Sequence, residues 1–262
     1  VPLAVQQVVT FASAPFGGNP AFVLTLDRPR PLPLLQGICR ELRDLVLAVL
    51  SVDGGEVDLR FVTSRGTHSG PGHATHAAAF VALEKLKPGR AIDLRLDGGG
   101  RRRARIEDDL LAVDWPLMPF SSVDRVAELA ACLGRRPRET FESGFGLVAV
   151  FDSAAEIASL APDLARLVRL SADTVMVTAP ADGADFALRV FAPKLDLPED
   201  PVCGTAHRIL VPYWAERFGR KALVSHQLSA RGGVLRSRLA GDTVTIAGSA
   251  VPFLDGVVHL PD

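Results

Sequence analysis

Phe191-Ala192-Pro193-Lys194, followed by Glu199-Asp200-Pro201-Val202-Cys203-Gly204-Thr205-Ala206-His207, is the stretch that decides the reading of this chain. A strand-type run ends at Phe191, turn chemistry follows through Pro201, and an apolar run over 205–218 opens immediately after Gly204. That run predicts a helix, with Pro212 interrupting it and expected to kink it. The same arrangement occurs earlier in the chain. Gly72-His73-Ala74-Thr75 opens an Ala-rich run over 73–86 that is apolar on nearly every face, and Lys87-Pro88-Gly89 is expected to stop it. A helix that is apolar all round belongs inside a core.

Outward from these two helices the sequence reads as short strands. In the first half the expected strands are 5–11, 21–26, 45–52, 57–62, 91–96, 103–107 and 110–115, with one amphipathic helix over 34–43. In the second half, helices are expected over 123–133 and 162–170, and strands over 174–178, 186–191, 223–227, 234–239 and 243–247. Each half thus holds strands and one very apolar helix. A sheet wrapped around a central helix satisfies that pattern, and the boundary is placed near 117–122. The expectation is an α+β fold with lobes 1–117 and 118–262.

Composition excludes several function classes. The 262 residues are 48% hydrophobic and carry a net charge of −1, which suits neither nucleic acid nor an anionic membrane surface. Arg101-Arg102-Arg103 follows Gly98-Gly99-Gly100 and reads as a solvated hairpin turn rather than a nucleic-acid footprint. Cys39, Cys132 and Cys203 are odd in number and lack CxxC spacing, which argues against a disulfide framework or zinc and for a reducing compartment. No run approaches the roughly 18 apolar residues of a membrane span, so a cytoplasmic location without membrane contact is expected.

Five segments together resemble the PhzF-like isomerases of phenazine biosynthesis. They are Pro15-Phe16-Gly17-Gly18-Asn19-Pro20-Ala21, Gly72-His73-Ala74-Thr75, the 191–207 stretch, Pro212-Tyr213-Trp214-Ala215-Glu216-Arg217 and Leu228-Ser229-Ala230-Arg231-Gly232-Gly233. The likeness runs nearly end to end and in order. It implies the diaminopimelate-epimerase-like fold: two similar lobes, each a curved, mostly antiparallel, barrel-like sheet around a central helix, with the active site between them. It further implies a homodimer that needs no metal or organic cofactor and moves a proton on a small carboxylated substrate.

Carried onto this sequence, the resemblance assigns His73 and Asp200 to proton handling or ligand orientation. Gly72, Gly204, Thr205 and Asn19 are assigned to substrate binding. Helix N-termini offer unpaired N–H groups and partial positive charge, suited to a carboxylate or an enolate. The plainer alternatives are tight turns at the glycines, a helix-capping role for His73 and turn punctuation at Asp200. Thr205 stands for the family's serine. The main departure is Val46, in Arg43-Asp44-Leu45-Val46, where the family has the glutamate proposed as general acid/base. Pro71 also replaces a common cysteine. Three groups are candidate substitutes: Cys203, whose thiol a helix N-terminus could acidify, Asp44 and His68. A buried small residue at Cys203 and an exposed helix-end Asp44 are the competing readings. Two functions therefore stand: a cofactor-independent isomerase or epimerase, or a family member impaired by Val46 that binds small anions.

Overall fold

A computed structural model describes residues 2–86 and 89–260. Lys87 and Pro88, the expected stop of the first central helix, lie outside the described residues. The strands are β1 (Leu3–Thr10), β2 (Asn19–Leu26), β3 (Leu47–Asp53), β4 (Glu56–Thr63), β5 (Gly66–His68), β6 (Ala91–Leu96), β7 (Arg101–Glu107), β8 (Leu110–Pro116), β9 (Phe120–Ser122), β10 (Glu139–Ser143), β11 (Gly146–Val150), β12 (Val175–Pro180), β13 (Phe186–Phe191), β14 (Ala222–Gln227), β15 (Gly233–Ala240), β16 (Thr243–Gly248) and β17 (Ala250–Val258). The helices are α1 (Leu32–Glu41), α2 (Gly72–Val81), α3 (Val126–Leu133), α4 (Ala154–Ala158), α5 (Leu164–Leu167) and α6 (His207–Phe218). The class is α+β as expected, and the sheet does not close into a barrel.

Two compact units divide the chain, residues 1–114 with 247–262, and residues 115–246. The expected division at 117/118 is therefore three residues late, and it also misplaces the last strand. β17 pairs antiparallel with β1 from Leu3↔Val258 to Thr10↔Ala250, which returns the chain end to the first unit. The missed strand follows from its pattern: Phe253, Leu254 and Val257 are exposed, so 250–258 lacks a buried apolar face to read.

The units share one pairing scheme. In the first, β1–β2 is antiparallel, β2–β3 parallel, β3–β4 antiparallel, β4–β6 parallel and β6–β7 antiparallel. In the second, β10–β11, β11–β12, β12–β13, β13–β14 and β14–β15 run through the same alternation. Each parallel pair needs a crossover. The first unit uses α1 and then α2; the second uses α4 with α5 and then α6. β3 is flanked on both sides, and its first four residues are buried, which is why 47–50 reads as a continuous apolar run.

Both central helices follow from their sequences. In α2 every residue except His73 and Phe80 is buried, and the alanines let β1, β2, β3 and β17 pack closely around it. A π-helical turn, Ala82–Leu86, continues it. α6 carries Pro212, which has no N–H for the carbonyl of Arg208. That carbonyl takes the N–H of Met118 instead, at 3.2 Å. Gly219, at φ 63°, then ends α6 in the left-handed conformation, its N–H bonded to the carbonyls of Ala215 and Glu216. The glycine run 98–100 is the hairpin turn expected, all three residues having positive φ, and Arg101 and Arg103 pair with Glu56 and Asp93.

Candidate active site

In the second unit the Asp200–Cys203 turn is held by five hydrogen bonds between β13 and α6. The N–H of Asp200 donates to the carbonyl of Val190 at 2.8 Å. Gln227, at the end of β14 and buried, closes the turn from both sides: its amide donates to the carbonyl of Asp200 at 2.6 Å and accepts from the N–H of Cys203 at 2.8 Å. The Ser229 hydroxyl donates to the carbonyl of Pro201 at 2.5 Å. The fifth bond comes from Asp200 itself, whose Oδ1 accepts the N–H of Val202 at 3.1 Å. Glu199 is fixed by Arg189 through two bonds of 2.8 and 2.9 Å, and Arg189 also donates to the carbonyls of Ile157 and Leu160. Turn punctuation is thus one role that Asp200 fills.

Its carboxyl has a second property. Burial pushes its pKa up to about 6, outweighing bonds from the Cys203 thiol and the Val202 N–H that favour the ionised form. Cys203 is buried, and its thiol donates to Asp200. Burial first, and the Asp200 charge second, hold the thiol pKa well above normal, although the N–H groups of Thr205 and Ala206 reach the sulfur and oppose this. The acidified thiol considered from sequence is therefore the reverse of what this environment produces: desolvation exceeds the effect of the helix start. The expected helix over 205–218 begins at His207, because Gly204–Ala206 form a turn whose carbonyls accept the N–H groups of residues 207–210.

In the first unit α2 opens at Gly72 with no side chain capping it. The N–H and the hydroxyl of Thr75 both donate to the carbonyl of Pro71. His73 is half-buried in the first turn, and it does not cap the helix through its side chain. Burial holds its pKa down at about 4, with His68 and His76 close enough to add to the depression. It is a neutral imidazole at ordinary pH. His68, on β5, accepts the N–H of Gly70 on Nδ1 at 3.1 Å, a turn role. Asn19 is buried at the start of β2, its carbonyl bonded by the Thr10 hydroxyl at 3.0 Å.

Val46 is buried just before β3. Asp44 does not reach out as a substitute, nor is it an exposed helix-end residue. Half-buried, it accepts the N–H of Phe22 at 3.1 Å and those of Leu45 and Val46, tying β2 to the head of β3, while burial raises its pKa. No group of three His, Cys, Asp or Glu side chains with metal-holding geometry occurs among the described residues.

Two histidines that sequence reasoning did not single out for a role carry the same device in both units. His76 Nδ1 lies 2.9 Å from the carbonyl of Gly72, and His207 Nδ1 lies 3.0 Å from that of Cys203. A carbonyl only accepts, so Nδ1 bears the proton in each. His207 Nε2 then accepts from Ser225, at 2.6 Å. The matching signal was present in the sequence: Gly72 and His76, like Cys203 and His207, are four apart at a helix start.

Comparison with known proteins agrees with this construction. The family model described as "Phenazine biosynthesis-like protein" matches residues 8–256. An uncharacterised isomerase of Pseudomonas aeruginosa is 38% identical over 98% of this chain and 99% of its own. The crystal structure of a PhzF family phenazine biosynthesis protein from Enterococcus faecalis superposes with a TM-score of 0.94 at 31% identity, over 99% of this chain and 100% of that one. A hydroxyproline epimerase from Agrobacterium vitis shares the fold alone, with a TM-score of 0.61 at 14% identity over 100% of this chain and 93% of that one. With nearly its whole length matched and the 191–233 pattern built into one buttressed turn, the chain belongs to the phenazine biosynthesis-like, or PhzF, family.

Proposed function

We propose that this protein is a cofactor-independent isomerase that moves a proton on a small carboxylated substrate, with Asp200 as its proton carrier. The observation that carries the reading is the Asp200 carboxyl, fixed in a braced turn with a pKa of about 6, where it can both take and return a proton near neutrality. Family membership and a relative named as an isomerase support it. Ionised Asp200 takes the proton of an acidic C–H beside the substrate's carbonyl or carboxylate, leaving the electron pair as an enolate or dienolate. The same carboxyl returns a proton to another carbon, so the bonds balance without an oxidant or a metal. Cys203 stays a neutral thiol and steadies the Asp200 charge. Neutral His73 orients the substrate or donates to the developing oxyanion. Gly72, Gly204, Thr205 and Asn19 are proposed to bind the substrate.

Incubation with a panel of small unsaturated or α-substituted carboxylates in deuterated buffer tests this. At least one should lose a C–H signal in proton NMR, with the rate unchanged by EDTA and lowered in His73→Ala. Exchange at background rates for every compound would defeat the proposal.

A second reading has its own observation. Val46 carries no proton, and Asp44 is committed to backbone N–H groups, so the segment where the family keeps its glutamate offers no free carboxylate. On this reading the protein binds small anions and has lost the chemistry. Val46→Glu would then create exchange absent from the parent, whereas turnover by the parent excludes it. Assembly as a homodimer in the cytoplasm completes the proposal; it is consistent with three unpaired cysteines and no helix long and apolar enough to cross a membrane among the described residues.

A further inference from the structure

We propose a second ligand site in the first unit, for a small monocarboxylate with an aliphatic body, built around Arg30. A cavity of about 440 Å³ lies there, a volume in the range of small-molecule sites. Its floor is the aliphatic set Leu26, Leu35, Val49 and Leu59, all buried.

The charges around the cavity are unevenly satisfied. Of its two lining carboxylates, Asp97 pairs with Arg60 at 2.7 Å and Asp58 is gripped by Arg95. Arg30 also lines the cavity, and its side chain is only 13% exposed. Its guanidinium meets one counter-charge, Asp27 Oδ1, through Nη2 at 3.2 Å; that aspartate is half-exposed and lies outside the lining. Arg30 Nε is buried and makes no hydrogen bond. A largely covered guanidinium with a buried, unused N–H calls for an acceptor, and an anionic one compensates its partial desolvation best. A carboxylate suits the planar donor group, while the floor selects an apolar body without aromatic stacking partners. Ser51 supplies one more polar group in the lining.

Octanoate is the probe, with 1-octanol as its uncharged counterpart. Calorimetry on the full chain should give one octanoate per protein, with octanol at least tenfold weaker. Arg30→Gln should bring octanoate down to the octanol level, and Asp200→Asn should leave it unchanged. In methyl-labelled parent protein, octanoate should shift the Leu35, Val49 and Leu59 methyls and leave Val202 unmoved. This readout holds even if Arg30→Gln folds poorly. No binding, binding indifferent to Arg30→Gln in a folded variant, or shifts centred on Val202 with binding lost in Asp200→Asn would each overturn the site. The last outcome would instead place the ligand at the Asp200 turn, so the two proposals fail separately.

Discussion

Asp200→Asn is expected to lower proton exchange by a hundred- to ten-thousand-fold, about the contribution of one well-placed acid or base. The amide keeps the size of the carboxyl and can still accept the Val202 N–H, so the braced turn should survive. What it lacks is the basic oxygen. The parent's rate should climb with pH and level off, with a midpoint near the raised Asp200 pKa of about 6, because the ionised form is the base. His73, neutral above a pKa of about 4, should contribute no limb in that window.

The stability of the variant provides the control. The folded pKa of Asp200 lies above its unfolded value of 3.8, so the native state binds that proton more tightly. The stability it contributes is fully present below pH 3.8 and is lost as pH rises through about 6. Removing the charge should therefore leave the melting temperature at pH 8 no lower than the parent's. If the rate survives in a folded Asp200→Asn protein, Asp200 is a turn residue and not the proton carrier. A fall in melting temperature that accounts for the lost rate would equally remove the inference.

Much of this architecture was legible in the residues, and the failures have physical causes. β6 and β13 fall at 91–96 and 186–191 as expected, since each has a distinct apolar pattern bounded by turn residues. β9, β10 and β11 were not expected: β9 is exposed throughout and β11 is buried throughout, so neither alternates. α3 begins three residues late because Val123 and Arg125 donate their N–H groups to Thr140, on β10, before the helix starts. At the site, motif residues showed where chemistry could occur, but not what environment each would meet. Asp44 and Asp200 are both aspartates in turn-like surroundings in the sequence. Only the fold shows one spending its oxygens on Phe22, Leu45 and Val46, and the other raised to about 6 beside a neutral thiol. Gln227 was invisible for a related reason. It lies 27 residues from the carbonyl that it holds, at the end of a strand whose parallel pairing with β13 brings it there.

The largest stability effect is expected at Trp214, which fixes α6 to its sheet. Its ring is 4% exposed and nearly parallel to Phe186 and Phe218, with centroids 6.0 and 5.1 Å away, and it meets Tyr213 edge-on at 5.0 Å. Its indole N–H donates to the Thr178 hydroxyl at 3.0 Å, which in turn donates to the carbonyl of Ala187 at 2.8 Å. Trp214→Ala removes a large buried ring and leaves a void among aromatic side chains that cannot readily collapse, a loss of about 3–5 kcal/mol. That is a large fraction of the roughly 5–15 kcal/mol that holds a typical domain together. With a urea slope of about 2–3 kcal/mol per molar, the unfolding midpoint should fall by roughly 1–2.5 M. Trp214→Phe separates packing from polarity. It keeps an aromatic ring but loses the N–H bond, and Thr178 keeps its own acceptor, so the cost of the lost bond should be nearer 1 kcal/mol. Equal losses in the two variants would mean that the hydrogen bond, not the aromatic packing, anchors the helix. The difference matters for the site, because α6 begins four residues after Cys203. A helix anchored by packing can hold the Asp200 turn still while its half-buried carboxyl changes charge.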